Sequence, residues 1–117
     1  MSKVIIYFNS ECSKCNSALN ILEGNPCEIE IKEYLKNPPT QEEIKEILVK
    51  LKCDIQDIIR KKEFLFVEKF ANKKLSEEEW IKVLIENPIL IERPIVISGN
   101  KGIIGRPTEK VIDLLNS

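Results

Sequence analysis

The sequence predicts an α/β fold, with a sheet of mixed parallel and antiparallel strands and an all-helical insertion between the second and third strands. Apolar residues follow a β-α-β pattern near the N-terminus and a β-β-α pattern near the C-terminus. Helical signals fill most of the stretch between these two units. Since 117 residues suffice for one hydrophobic core, we expect a single domain over residues 1–117, with the insertion at about 40–87.

The N-terminal unit consists of a strand, a helix and a second strand. Residues 3–8 are rich in β-branched and aromatic side chains, which predicts a strand. A helix is predicted over residues 13–24, where Gly24-Asn25-Pro26 ends it. Residues 28–34 alternate polar and apolar side chains, the pattern of a half-buried strand.

The insertion follows Asn37-Pro38-Pro39, and two capping boxes mark its main helices. Residues 40–43 (Thr-Gln-Glu-Glu) and 76–79 (Ser-Glu-Glu-Glu) each precede an amphipathic apolar pattern. Asp54 is expected to cap a short helix between them. Residues 63–70 are apolar without a clear period, so this segment is predicted as helical or irregular.

The C-terminal unit is predicted as a β-hairpin and a helix. Residues 94–98 and 101–104 form the strands, and Gly99-Asn100 supplies the turn. Pro107 is expected to start the last helix, since proline is favoured at the first helical position. The two outer units together predict a thioredoxin-like sheet.

Composition excludes several functions. A net charge of −1 offers no basic field across the whole chain, so we expect no direct binding to nucleic acid. We expect no membrane partner either, because no apolar run is long enough to span a bilayer. The N-terminus lacks signal-peptide features, so we expect a cytoplasmic location. The chain has no histidine, which excludes Cys–His and Ser–His catalysis within it.

The candidate reactive group is the Cys-Ser-Lys-Cys motif at residues 12–15, where the first strand meets the first helix. Free N–H groups and the helix dipole favour a thiolate there, and Lys14 adds a positive charge, so Cys12 is the candidate nucleophile. Cys15 lies on the same helix face. It either attacks a species formed on Cys12 or is a small core residue. The other two cysteines are far apart in sequence, so we expect no zinc site.

The three arginines of the chain, Arg60, Arg93 and Arg106, each lie at the end of a predicted element. A guanidinium group offers a rigid fork of donors that suits an oxyanion better than the point charge of lysine does. The arginines therefore predict an oxyanion site. The alternative is three surface ion pairs.

Segments around these residues carry a resemblance that covers almost the whole chain. They are residues 7–15, 34–40, 58–61, 87–96 and 105–107. In this order they resemble the glutaredoxin-coupled arsenate reductases, the ArsC family, in the ArsC/Spx-like branch of the thioredoxin fold. The combination of segments is specific to that family.

The resemblance implies a mechanism. In that family the cysteine matching Cys12 attacks arsenate, and the arginines matching Arg60, Arg93 and Arg106 bind the oxyanion and its thiol adduct. The proline matching Pro94 is cis and lies across from the thiol. The family implies no tightly bound cofactor, and glutathione with glutaredoxin, or thioredoxin, as the reductant.

Two positions differ from the family pattern. Phe8 stands where the family commonly has histidine, and Cys15-Asn16 stands where it commonly has Ser-Arg. The added cysteine permits an internal Cys12–Cys15 disulfide, as in the related Spx-type transcription regulators. Two alternatives therefore stay open: a general thiol–disulfide reductase that Cys15 resolves, and a redox-sensing regulator that binds the RNA polymerase alpha subunit.

Overall fold

The central sheet of the computed structural model, which describes residues 2–116, has four strands in the order β2-β1-β3-β4. The strands are β1 (Ser2–Tyr7), β2 (Cys27–Lys32), β3 (Ile95–Ser98) and β4 (Lys101–Ile104). β1 pairs in parallel with β2 and antiparallel with β3, and β3 pairs antiparallel with β4. The predicted mixed sheet is confirmed.

Helices connect these strands. They are α1 (Ser13–Glu23), α2 (Gln41–Leu51), α3 (Phe64–Lys69), α4 (Glu77–Glu86) and α5 (Glu109–Leu115), with 3₁₀ turns at Ile55–Ile58 and Pro88–Leu90. The elements from α2 to the second 3₁₀ turn all lie between β2 and β3, as predicted for the insertion.

Alternating side chains of the strands face opposite sides of the sheet, so the molecule has two apolar clusters. Val4 and Val96 pack on one side with residues of α1 and α5. Tyr7 and Ile95 pack on the other side with residues of the insertion, including Trp80. α1 begins just beyond the carboxyl end of β1, which is a central strand of the sheet.

Both capping boxes are confirmed. Thr40 Oγ1 accepts a hydrogen bond from Glu43 N at 3.1 Å, and Thr40 N donates to Glu43 Oε1 at 2.9 Å. Ser76 and Glu79 make the same reciprocal pair at the start of α4. Asp54 caps the first 3₁₀ turn, as the sequence predicts.

Two boundaries differ from the prediction by two residues, whereas the helical option for residues 63–70 is confirmed. β2 ends at Lys32 because the next residues enter a turn, in which the carbonyl of Glu33 accepts from two N–H groups. Residues 63–70 contain α3, whose Phe66 is buried against Trp80. Pro107 does not start the last helix, which begins at Glu109 with Thr108 as its N-cap.

No helix within residues 2–116 is both long enough and apolar enough to cross a membrane.

Candidate active site

Cys12 is the N-cap residue of α1, at the point where the chain leaves β1 and its following turn. Its backbone is extended, with φ −98° and ψ 119°, and its side chain makes no capping hydrogen bond. The backbone N–H of Cys12 donates to the carbonyl of Asn9 at 3.0 Å, which closes the turn. Only 8% of the Cys12 residue is exposed, so reagents reach the thiol through a narrow opening.

Asn16 holds this turn in place, and the sequence reasoning did not predict that role. Its side-chain amide donates to the carbonyls of Ser10 at 2.9 Å and Cys12 at 3.1 Å. It is the residue that stands where the family commonly has arginine. The sequence did contain a signal for this role, an amide side chain one turn after the N-cap. Asparagine side chains at such positions readily donate to nearby backbone carbonyls.

The three predicted arginines line one cleft of about 460 Å³, together with two lysines and two glutamates. Arg106 links the cleft to the thiol, because its Nη2 atom lies 3.7 Å from Cys12 Sγ. Its Nε atom donates to the carbonyl of Arg93 at 2.7 Å, which fixes the guanidinium beside the sulfur. The fold thus brings together residues that are up to 94 positions apart in sequence.

Arg60 is held at the cleft by its neighbours. Its Nη1 atom donates to the carbonyl of Ile89 at 3.0 Å, and its Nη2 atom pairs with Glu63 Oε2 at 3.1 Å. The surface-ion-pair alternative therefore describes part of what Arg60 does. One side of its guanidinium is occupied by protein acceptors.

Arg93 differs from Arg60 because one of its donors is unused. Its Nε atom is buried and has no hydrogen-bond partner within residues 2–116. A buried donor without an acceptor is costly, so this atom indicates a position where an anionic ligand would compensate it. The Arg93–Pro94 peptide bond is cis, the geometry that the resemblance implies for Pro94.

Cys12 and Cys15 have opposite electrostatic settings. Burial raises the pKa of Cys12, but hydrogen bonds from the backbone N–H groups of Cys15 and Lys14, from the Cys15 thiol, and the charge of Arg93 lower it below the ordinary value. Burial raises the pKa of Cys15 to about 12. Cys12 is therefore the sulfur that ionises more readily, and Cys15 is the thiol that donates a hydrogen bond to it.

Cys15 is fully buried in the apolar cluster beneath α1, so the core-residue alternative describes its packing. Both sulfurs are free thiols in this structure. A resolving or regulatory role for Cys15 stays a prediction.

Tyr34 is a second residue near this site, and the sequence reasoning gave its side chain no role beyond a predicted strand and the resemblance segment 34–40. It is buried in the turn after β2. Burial, and then the charge of Cys15, raise its pKa to about 12, while Arg93 and Arg60 oppose the shift. Tyr34 is therefore a neutral phenol within electrostatic range of the cysteines and the arginines.

A second cleft of similar volume, about 470 Å³, opens between α2, β4 and α5. Its lining includes Lys50, Lys52, Lys101 and Lys110, but no cysteine and no arginine. The two clefts have nearly equal volumes, so volume does not identify the functional site. The arginine cleft is the candidate site because of the residues that line it. Residues 2–116 contain no group of three or more cysteine, aspartate or glutamate side chains placed to hold a metal ion.

Comparison with known proteins identifies the family. Residues 7–114 match the model of the ArsC family. The chain is 40% identical over 114 residues to an arsenate reductase of Haemophilus influenzae, covering 96% of this chain and 98% of that protein. It is 38% identical over 115 residues to the uncharacterized protein YfgD of Escherichia coli, covering 97% of each.

Solved structures agree with the sequence comparison. The structure of an arsenate reductase from Vibrio cholerae matches with a TM-score of 0.90 at 33% identity, covering 97% of this chain and 98% of that one. The family match, the relatives and the shared fold span the whole candidate site. The chain therefore belongs to the ArsC family.

Proposed function

We propose that this protein reduces an arsenate-like oxyanion, with Cys12 as the nucleophile and Arg60, Arg93 and Arg106 as the oxyanion-binding residues. The general class, a thiol-dependent oxidoreductase resembling arsenate reductases, follows from the family and from relatives that carry that name. The observation that carries the finer proposal is the position of Arg106, 3.7 Å from the sulfur in a cleft that the other two arginines also line.

The charges of the cleft suit a tetrahedral anion. Its lining contains five cationic side chains and two carboxylates, Glu63 and Glu92. The Arg93 Nε atom supplies a buried donor that has no acceptor among residues 2–116. Arginine forks bind the oxygens of such anions through paired, charge-assisted hydrogen bonds.

In the first step the Cys12 thiolate attacks arsenic(V). A Cys12 S–As bond forms, one arsenic–oxygen bond breaks, and the oxygen leaves as water after taking up a proton. No electrons change hands in this condensation. The three guanidinium groups offset the negative charge of the oxyanion as it approaches the anionic sulfur.

In the second step a thiol RSH reduces the adduct. Its sulfur attacks Cys12 Sγ, the S–As bond breaks, and its electron pair leaves with arsenic as arsenite. Cys12 is then held in a mixed disulfide with R. A further thiol exchanges with that disulfide and releases the Cys12 thiolate.

We propose that the thiols are external, from glutathione and glutaredoxin or from thioredoxin. Cys15 is the internal alternative and would form a Cys12–Cys15 disulfide. Its pKa of about 12 and its complete burial disfavour the thiolate that such an attack needs.

Two other functions that the sequence left open stay predictions. A general thiol–disulfide reductase would use the same Cys12 sulfur without the arginines. Binding to the RNA polymerase alpha subunit, like the cytoplasmic location, is a prediction that no feature of the site favours.

Replacing the nucleophile tests the proposal directly. Cys12→Ser should lower arsenite production with glutathione and glutaredoxin by at least about a hundredfold, because serine supplies no sulfur for the redox step. Cys53→Ser is the matched control, since Cys53 is a half-buried thiol outside the arginine cleft. Arsenite formation that survives in Cys12→Ser at the rate of the control would refute the proposal.

The oxyanion site has a separate test. Arg93→Lys retains the charge but loses the planar fork, and should lower kcat/KM for arsenate by about tenfold. The same variant should still react with iodoacetamide at Cys12. An unchanged kcat/KM would remove Arg93 from the oxyanion site.

A further inference from the structure

We propose that the exposed side chains of Phe64 and Val67 on α3 form the docking surface for an acidic redox protein that delivers a thiol to Cys12. We call these two side chains the α3 patch. The inference rests on the proposed function, because it concerns the thiol–disulfide exchange that returns Cys12 to its thiolate.

The α3 patch is both exposed and firmly held. Phe64 is 74% exposed and Val67 is 57% exposed, and their spacing of three residues places them on one face of the helix. Phe66 anchors the opposite face, where its ring stacks on Trp80 with centroids 6.0 Å apart. A large aromatic side chain that a rigid helix presents to water is typical of an interaction surface.

The α3 patch adjoins the route to the thiol. Residues 60–63 line the arginine cleft, and α3 begins at the next residue, Phe64. Cys12 is almost completely buried and its contact with Arg106 opens into that cleft. A protein seated on the α3 patch therefore rests against the rim of the cleft that contains Arg106, whose Nη2 atom lies 3.7 Å from Cys12 Sγ.

Charge selects the kind of partner. Residues 60–74 carry six cationic side chains and two glutamates, a net charge of +4. The whole chain has a net charge of −1, so the remaining residues sum to −5. A positive surface around an apolar centre favours an acidic partner. In a two-fold symmetric contact, a second copy of this chain would bring the same positive segment to the patch, and like charges oppose that association.

The chemical step at this surface is a thiol–disulfide exchange. The starting species is a mixed disulfide between Cys12 and a thiol R. A thiolate of the docked protein P attacks the sulfur of R. The bond between Cys12 and R breaks, the electron pair stays on Cys12 as a thiolate, and the partner becomes P–S–S–R. The lowered pKa of Cys12 makes it a good leaving group.

The test starts from the protein with glutathione on Cys12, so arsenate is not involved. Mass spectrometry follows the loss of glutathione with reduced glutaredoxin, and separately with dithiothreitol. Phe64→Ser combined with Val67→Ser should lower the second-order rate constant with glutaredoxin by about tenfold and leave that with dithiothreitol unchanged. Val49→Ser is the matched control, since Val49 is 73% exposed on α2, and should change neither rate.

A variant with reversed charges tests whether the partner of the α3 patch is acidic. Lys69→Glu combined with Lys73→Glu, two exposed side chains outside the arginine cleft, should lower the glutaredoxin rate and weaken its dependence on salt. The dithiothreitol rate should again stay constant.

Three results would overturn the docking surface. The first is a glutaredoxin rate that the α3 patch variants leave unchanged. The second is an equal loss with dithiothreitol, which would indicate a damaged site. The third is self-association in sedimentation that the α3 patch variants abolish, which would make a second copy the occupant. The release of glutathione can still be measured if the protein does not reduce arsenate. The docking surface and the proposed function can therefore be refuted independently.

Discussion

At the residue scale, two cysteines three positions apart have opposite pKa shifts, downward for Cys12 and upward for Cys15. Cys12 accepts hydrogen bonds from the first turn of α1 and faces Arg93 and Arg106, so its charged form is favoured despite burial. Cys15 faces the apolar cluster, where burial favours the neutral thiol. The motif is therefore an activated sulfur with a hydrogen-bond donor behind it.

This arrangement predicts the effect of Cys15→Ala. The substitution removes the thiol that donates to Cys12, so the pKa of Cys12 should rise towards its ordinary value. The thiolate dominates only above that pKa, and alkylation slows as the pH falls through it. The midpoint of the iodoacetamide rate against pH should therefore move to higher pH, with Cys53→Ser as the control. A midpoint that stays in place or moves lower would contradict the proposed hydrogen bond.

At the element scale, helix caps determine where the two main helices of the insertion begin. α2 and α4 each start with a complete capping box, whereas Thr108 at the start of α5 makes no side-chain capping bond. The two kinds of N-terminus offer a comparison within one chain.

Thr40→Ala should lower the free energy of unfolding by about 1 kcal/mol, because it leaves Glu43 N without its acceptor. Thr108→Ala should change it by less than about 0.5 kcal/mol. Urea denaturation of both variants beside the wild type measures the difference. Equal losses would show that the Thr40 hydroxyl contributes nothing specific.

At the scale of the whole molecule, the insertion and the sheet share one apolar cluster. Trp80 and Ile81 of α4 belong to the same cluster as Tyr7 of β1 and Ile95 of β3. Such shared burial predicts that the insertion does not unfold by itself, in keeping with the expectation of a single domain.

The single tryptophan makes this cooperativity measurable. Trp80 lies in the insertion and is 3% exposed, so its fluorescence reports on the insertion. Its urea transition should coincide with that of far-UV circular dichroism, which also reports the sheet. A fluorescence midpoint at clearly lower urea would show that the insertion unfolds separately.

Local signals in the sequence were sufficient for most of the fold. Capping boxes, the β-branched and aromatic run of β1, the alternation in β2, and the turn at Gly99 are each read within a few residues. The φ of Gly99, +61°, suits glycine. Pro107 misled the prediction because proline also occurs in turns. Here Pro107 lies in a bend at residues 106–107, and Gly105 N before it bonds to the carbonyl of Pro94.

The candidate site was predicted less completely than the fold, because local signals do not show which distant groups a side chain contacts. Cys12 and the three arginines stand out by residue type and position, so the sequence reasoning named them. Asn16 and Tyr34 did not stand out, since an amide on a helix and a tyrosine after a strand are common. Their roles depend on which carbonyls and charges lie within a few ångströms.

The sequence by itself determined the order of the elements, the position of Cys12 at the start of a helix and the positions of the arginines at the ends of elements. Those features depend on neighbours along the chain. Only the tertiary structure decided that Arg106 lies 3.7 Å from Cys12, that Arg93 keeps an unpaired buried donor, and that α3 presents Phe64 to water beside the cleft. These depend on packing between distant segments, and packing is set by the whole core.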